Sequence, residues 1–246
     1  MWRLVILVAG IAAWWLIAKV AGGNFIPTPP QTVAAAVAIG RDGTLARATL
    51  DTTIVFVTGY VIAAIVAIPC GLIMGGLRGV GSAFEPYVDA LSAMPRVAFI
   101  PLIIVFLGLG FPAKIAIVFL GAAMPILINT YAGVLNCDGE LLEMARSAGA
   151  SEPQVFVKIM LPGAFPYITA GLRVGASLAL INTVVAELYT AVKGLGGLLS
   201  VYGNSFRMAP YFVVVFVLGA LGVIVMQSLK LLERNSDRWR YNSDRR

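Results

Sequence analysis

Histidine is absent from all 246 residues, and cysteine occurs only at Cys70 and Cys137. The first absence excludes histidine-based catalytic triads, the H-E-x-x-H zinc motif and haem ligation through imidazole. The two cysteines lie 67 positions apart (137 − 70), each inside an apolar run, and read as packing residues. Charge is scarce too. Asp, Glu, Lys and Arg make up 12% of the chain, against about 25% in a soluble domain. With 59% hydrophobic residues and a mean hydropathy of +0.90, too few polar groups remain to cover a 26.0 kDa globule. Disorder is excluded as well, since it needs low hydrophobicity and high net charge. The solvent for most of this chain is lipid.

The net charge is +6, from 18 basic and 12 acidic residues. Six of the basic residues crowd into Lys230–Arg246, beside an apolar run. A basic cluster in that position is a topology signal and not a nucleic-acid site.

What the chain has in abundance is long uncharged stretches. A helix needs roughly 20 apolar residues to cross a ~30 Å hydrocarbon core. Leu4 to Ala18 is uncharged, and Lys19 can snorkel to the interface, which gives a first span over about 4–22. Further uncharged stretches predict spans at 52–77, 97–113, 115–137, 172–191 and 208–230. The first stretch also admits a second reading, a signal peptide cleaved near Val20-Ala21-Gly22. With the N-terminus in the cytoplasm, six spans put 12 basic residues inside and six outside. Removing the tail leaves six against six, so the C-terminal cluster carries the inference that both termini are cytoplasmic.

Packing signals lie within the spans. Gly71-Leu-Ile-Met-Gly75 and Gly171-Leu-Arg-Val-Gly175 let helices approach closely. Pro69, Pro101 and Pro125 predict kinks whose freed carbonyls need partners inside the protein. Glu187 is the lone acid in an otherwise apolar run, and such residues are costly in lipid. Three roles suit it: pairing with Lys193 or Arg207, closing an outer gate, or touching substrate. Ser177, Asn182 and Thr183 share its helix, either lining a pathway or bonding between helices. Thr183 and Glu187 are four apart and so lie on one face.

Two segments are too long for turns. In Gly23–Asp51, Thr28 and the neighbouring prolines predict a helix through Gln31 to Ile39, either a packed connector or an interfacial helix on the outer face. In Asp138–Leu172, Glu140 to Ala148 is a good helix former, and Gly149 suits the left-handed position that ends helices. Ser151 and Gln154 form a capping-box pattern that starts a second helix, with Val155, Phe156, Ile159 and Met160 on its apolar face. Leu161-Pro162-Gly163 is expected to stop it, with re-entry to the membrane after Pro166. The exposed apolar face either takes a partner or packs on the helix ends.

Glu143-Met144-Ala145, Gly149, Ile159 and Leu161-Pro162 resemble the EAA loop of ABC importer permeases, with every spacing kept. That pattern reads Glu-Ala-Ala, three residues, Gly, nine residues, Ile, one residue, Leu-Pro. The departure is Met144 at the usual second Ala. Pro27–Pro30, Met94-Pro95 before Ile100-Pro101-Leu102, and Val185-Ala186-Glu187 before Gly194-Leu195-Gly196 are similar to the branch serving sulfonates, taurine and nitrate. The resemblance implies an all-α integral membrane protein: one permease domain over 1–246 with about six transmembrane helices in a type I ABC importer bundle. It implies a multi-pass protein of the bacterial inner membrane that binds no metal or cofactor and has no catalytic residues, ATP and Mg being used by a partner ATPase. The implied partners are a second permease copy, two cytoplasmic ATPase subunits and an extracytoplasmic binding protein, in a setting of membrane lipid and no nucleic acid. By the same resemblance Glu143, Ala145, Arg146, Gly149, Ala150, Ser151, Ile159, Leu161 and Pro162 belong to the ATPase-coupling loop. The implied solute is a small organic or inorganic anion, with a pyrimidine or flavin precursor as the alternative. A secondary transporter or channel would need inverted repeats or paired broken helices, and neither is visible.

Overall fold

The computed structural model describes residues 2–20, 25–190 and 193–241, and every regular element among them is helical. In chain order the first are α1 (Trp2–Val20), α2 (Pro29–Arg41), α3 (Thr44–Gly76) and α4 (Arg78–Ala93). A 3₁₀ turn (Arg96–Phe99) leads into α5 (Ile100–Leu107) and then α6 (Phe111–Leu135). The short helices α7 (Gly139–Ser147) and α8 (Glu152–Val155) follow. A π turn (Phe156–Met160) joins α8 to α9 (Leu161–Thr190), and α10 (Leu195–Asn204) and α11 (Met208–Tyr241) complete the chain.

Two compact units are present: Met1–Ile54 with Val184–Val223, and Val55–Thr183 with Ile224–Arg246. In the first, Ile39, Ala48, Leu195, Leu199, Val213 and Val214 form the buried core. Trp14 of α1 lies over Phe212 and Phe216, at ring-centroid distances of 6.3 and 5.4 Å. The start of α2 follows from its sequence. Gln31 reaches back to accept the Thr28 N–H at 2.8 Å, completing a capping box, and the prolines need no donor there. Asp42 caps the start of α3 by accepting the Thr44 N–H at 2.8 Å, and that bond holds its carboxyl below the usual range.

In the second unit α6 is the element on which the small-residue motifs close. A Cβ on Gly71 would lie 2.8 Å from the Leu127 carbonyl, and one on Gly75 would strike Val134. From α9, Gly171 and Gly175 meet Asn129 and Ile126 in the same way. Both motifs therefore do what their spacing predicts, and both do it against α6.

The spans differ from expectation in four respects. Among the described residues, four helical segments are long and apolar enough to cross a membrane: Thr44–Gly76, Phe111–Leu135, Glu152–Thr190 and Met208–Leu231. A bent pair, Gly79–Ala93 with Arg96–Leu107, makes a fifth, and the apolar stretch of α1, Val8–Val20, is shorter than the others. Ala21, Gly22 and Ala191, at the ends of two predicted spans, lie outside the described residues.

The predicted span 97–113 is half of that bent pair, whose parts meet at 85°. Pro95 drives Met94 into extended backbone (φ −70°, ψ 138°), so the helix cannot run through. Gly108, at φ +74°, then ends α5 after eight residues, about 12 Å of helix. Lastly, Leu161-Pro162-Gly163 is no stop. The helix continues because the Leu161 N–H bonds to the Phe156 carbonyl, five residues back. That wide turn makes room for a proline ring that would otherwise press on the carbonyl four residues before it.

Candidate functional site

The helix pair at 139–155 is built by three local devices. Asp138 accepts the Glu140 N–H at 2.9 Å and opens α7. At the other end Gly149 takes φ +80°. Its N–H bonds to the Arg146 carbonyl, and that of Ala150 to the Ala145 carbonyl, each at 3.0 Å. This is the crossed pair of a Schellman motif. Ser151 then caps α8, and its N–H donates to Gln154 Oε1 at 2.9 Å.

Arg146 spans the two helices with a two-pronged bond to Glu152, at 3.0 and 3.1 Å. Both side chains are exposed, at 44% and 72%, so the pair adds little stability and mainly sets direction. Arg146→Ala should lower the thermal midpoint of purified protein by the equivalent of about 0.2–1 kcal/mol at most. A loss several times larger in a melting experiment would show that the pair organises more than its own geometry.

Most of the predicted coupling residues sit on this projection. Glu143, Arg146, Gly149 and Ser151 are exposed, and Ala145 and Ala150 are half-buried. Ile159 lies in the π turn, with Leu161 and Pro162 at the foot of α9. The projection is anchored from below. Val155 is 1% exposed, and Phe156 packs flat enough on Gly76 that a Cβ there would lie 2.8 Å from its ring. Met144 and Val157 remain outside, 66% and 58% exposed.

The polar residues of α9 divide. Ser177 is exposed and Asn182 half-buried, with Asn182 Nδ2 donating to the Leu178 carbonyl at 2.8 Å. Thr183 is fully buried and bonds to the Ala179 carbonyl one turn back. Glu187 is fully buried as well, in a clasp within the first unit. The Thr52 hydroxyl lies 3.0 and 2.9 Å from its two carboxylate oxygens, and the Gly196 N–H donates to Oε2 at 2.8 Å. Thr52 Oγ1 in turn accepts the Leu195 N–H at 2.8 Å.

Leu195 and Gly196 open α10, so the clasp supplies acceptors to two N–H groups that the helix itself leaves orphaned. A carboxylate at that end also opposes the helix dipole favourably. Gly194 (φ +95°) and Gly196 are both required, because a Cβ on either would collide with Glu187. Arg207, one expected partner of Glu187, instead lies over the Tyr202 ring, 5.3 Å from its centroid.

Two members of these arrangements escape sequence reasoning. Thr52 is one hydroxyl at the edge of an apolar run, with no spacing that links it to Glu187. Arg96 reads as a residue bounding a span, on the inside. In the structure its Nη1 donates to the Gly121 carbonyl at 3.4 Å, ten residues into the 25-residue α6. The signal was present in Pro125: lacking an N–H, it leaves the carbonyl four residues before it, that of Gly121, without its helical partner.

An all-helical chain with several apolar spans, intramembrane polar groups and an exposed, doubly capped helix pair has the build of a membrane transport subunit. Residues 59–238 match the family described as the binding-protein-dependent transport system inner membrane component, and the chain belongs to that family, the permease components of ABC importers. A probable ABC transporter permease of Brucella melitensis is 30% identical over 237 residues, 96% of each chain. The taurine transport system permease TauC of Escherichia coli is 27% identical over 236 residues, 93% of this chain and 86% of that one. The putative aliphatic sulfonates transport permease SsuC of the same organism is 40% identical over 153 residues, 62% of this chain and 58% of that one. The crystal structure of an amino acid ABC transporter with histidines shares the fold: TM-score 0.53, 16% identity, 77% of this chain and 95% of that one.

Proposed function

We propose that two copies of this chain form the translocation pathway of an ATP-driven importer for a small anion of the sulfonate, taurine or nitrate class. A binding protein outside the membrane hands the solute over, and two ATPase subunits dock on the helix pair at 139–155 from the cytoplasm. The permease lies in the inner membrane, and the 12-to-six division of basic residues supports cytoplasmic termini. The transport permeases for taurine and aliphatic sulfonates among the relatives support the solute class.

One observation carries the coupling assignment: the helix pair is exposed yet braced by its own hydrogen bonds. ATPase closure moves a permease only through a projection that does not fold away under load. The Schellman turn, the Ser151 cap and the Arg146–Glu152 bridge fix the angle between the two helices. Exposed Met144 and the acid at Glu143 give that projection an apolar tip with a charged rim.

Co-purification tests the docking. Glu143→Arg should cut recovery of the ATPase subunit about five-fold or more, the scale of a ~1 kcal/mol contact. Undiminished recovery would remove the coupling role. The solute class is tested by the affinity of the cognate binding protein across sulfonates, nitrate, pyrimidines and flavins. Selective binding of an uncharged pyrimidine or a flavin would overturn the anion assignment.

A further inference from the structure

Arg96 sits at the break of the bent pair, close to the midpoint of α6, and is half-buried. A cation at such depth is expensive in lipid and faces a partner or a watered cavity. Among the described residues no carboxylate lies within ion-pair distance of it. Its one bond, 3.4 Å to Gly121 O, uses a single donor of the five that a guanidinium carries. Asn182 reaches the same spot from α9, since a Cβ on Gly121 would collide with its carboxamide. Asn182 spends one N–H on its own helix and keeps a second.

We infer that Arg96 and Asn182 form an oxyanion subsite in the translocation pathway. The carbonyl freed by Pro125 positions the guanidinium, and the remaining donors receive a sulfonate or a similar oxyanion. This rests on the importer reading above and supplies a site for its substrate class. A guanidinium is suited to the task because its planar fork matches two oxygens of one anionic group, whereas an ammonium offers a single point of charge. Asn182 adds a neutral donor, which holds the anion without a second fixed charge that would slow its release.

The competing role for Arg96 is purely structural, a cap on the orphaned Gly121 carbonyl. The two roles separate in a double variant, because Pro125→Ala restores the N–H that Gly121 O lacks. Uptake of ethanesulfonate, taurine and nitrate is measured in cells carrying the complete importer, with assembly followed by recovery of the whole complex. Arg96→Gln should lower uptake about ten-fold or more, and Arg96→Lys should give an intermediate rate. The double variant Arg96→Gln with Pro125→Ala should stay as defective as Arg96→Gln alone. Asn182→Asp, which sets a carboxylate against the incoming anion, should also abolish uptake.

Recovery of uptake in the double variant would reduce Arg96 to a carbonyl cap and overturn the subsite. Normal uptake by Asn182→Asp would overturn it equally. Failure of the wild-type importer to carry ethanesulfonate, taurine or nitrate is a separate result: it removes the anion reading itself, and the subsite with it.

Discussion

Replacing Gly149 with valine should abolish solute uptake and release the proposed ATPase partner from the permease. Gly149 holds φ +80°, a region that costs an ordinary L residue about 1–2 kcal/mol and a β-branched one more. The energy is the smaller part of the effect. A residue that leaves the left-handed region also withdraws the Gly149 and Ala150 N–H groups from the Arg146 and Ala145 carbonyls. Helix α7 then loses its fixed angle to α8, and a projection without a fixed angle transmits no movement. Asparagine tolerates the left-handed region, so Gly149→Asn should retain most of the uptake. Wild-type uptake by the valine variant, with its ATPase intact, would dismiss the coupling assignment. Equal failure of both variants would point to a need for backbone closeness in place of a left-handed turn.

The second large effect lies in the Glu187 clasp. Gly194→Ala places a methyl group on the carboxylate while the backbone stands at φ +95°. Neither conflict relaxes without opening the start of α10, and the expected outcome is loss of folded protein from the membrane fraction. Thr52→Val is the graded version. It keeps the side-chain shape but strips a donor from a buried carboxylate and an acceptor from the Leu195 N–H. Leaving such groups unsatisfied costs about 1–3 kcal/mol, which corresponds to a fall of roughly 2–12 °C in melting midpoint for a chain this size. Thr52→Ser, which preserves the hydroxyl, should recover most of that loss. A serine variant as unstable as the valine one would transfer the effect from the hydrogen bonds to the methyl group.

The contrast between what could and could not be read from sequence is sharpest around proline. Ser151 with Gln154, Gly149, and the two small-residue motifs were legible because each acts through fixed local spacing. Pro162 was misleading. A proline usually ends a helix, and nothing local announces that a π turn at Phe156–Met160 will absorb it. The stretch 97–113 suggested a straight crossing, yet Gly108 ends its helix early and Met94-Pro95 bends that helix against the one before it, since charge counts are blind to backbone geometry. The polar arrangements were legible by halves. Glu187 stands out alone in an apolar run, whereas Thr52 is 135 residues away and is joined to it only by folding. The sequence places Arg96 at a boundary, and its bond to the Gly121 carbonyl is out of reach of local spacing because that carbonyl lies on α6, a different part of the chain.

The π turn has a consequence for how the projection is aimed. Buried positions on α9 recur at Ala164, Ile168, Gly171, Gly175, Ala179 and Thr183, a regular helical beat. Val155, nine residues before Ala164, would fall about 180° from that stripe on an unbroken α-helix. The wide turn works as a one-residue slip in the count and swings the projecting end by about 100° about the helix axis, which brings Val155, itself buried, from about 180° to about 80° from that stripe. Straightening the turn and deleting a residue from it are therefore opposite operations. The first rotates the projection off its heading, and the second removes the surplus residue and leaves the heading as it is. The aim of the projection is thus a matter of residue count, like the phase of a screw thread, and it is fixed by a five-residue stretch rather than by any contact at its tip.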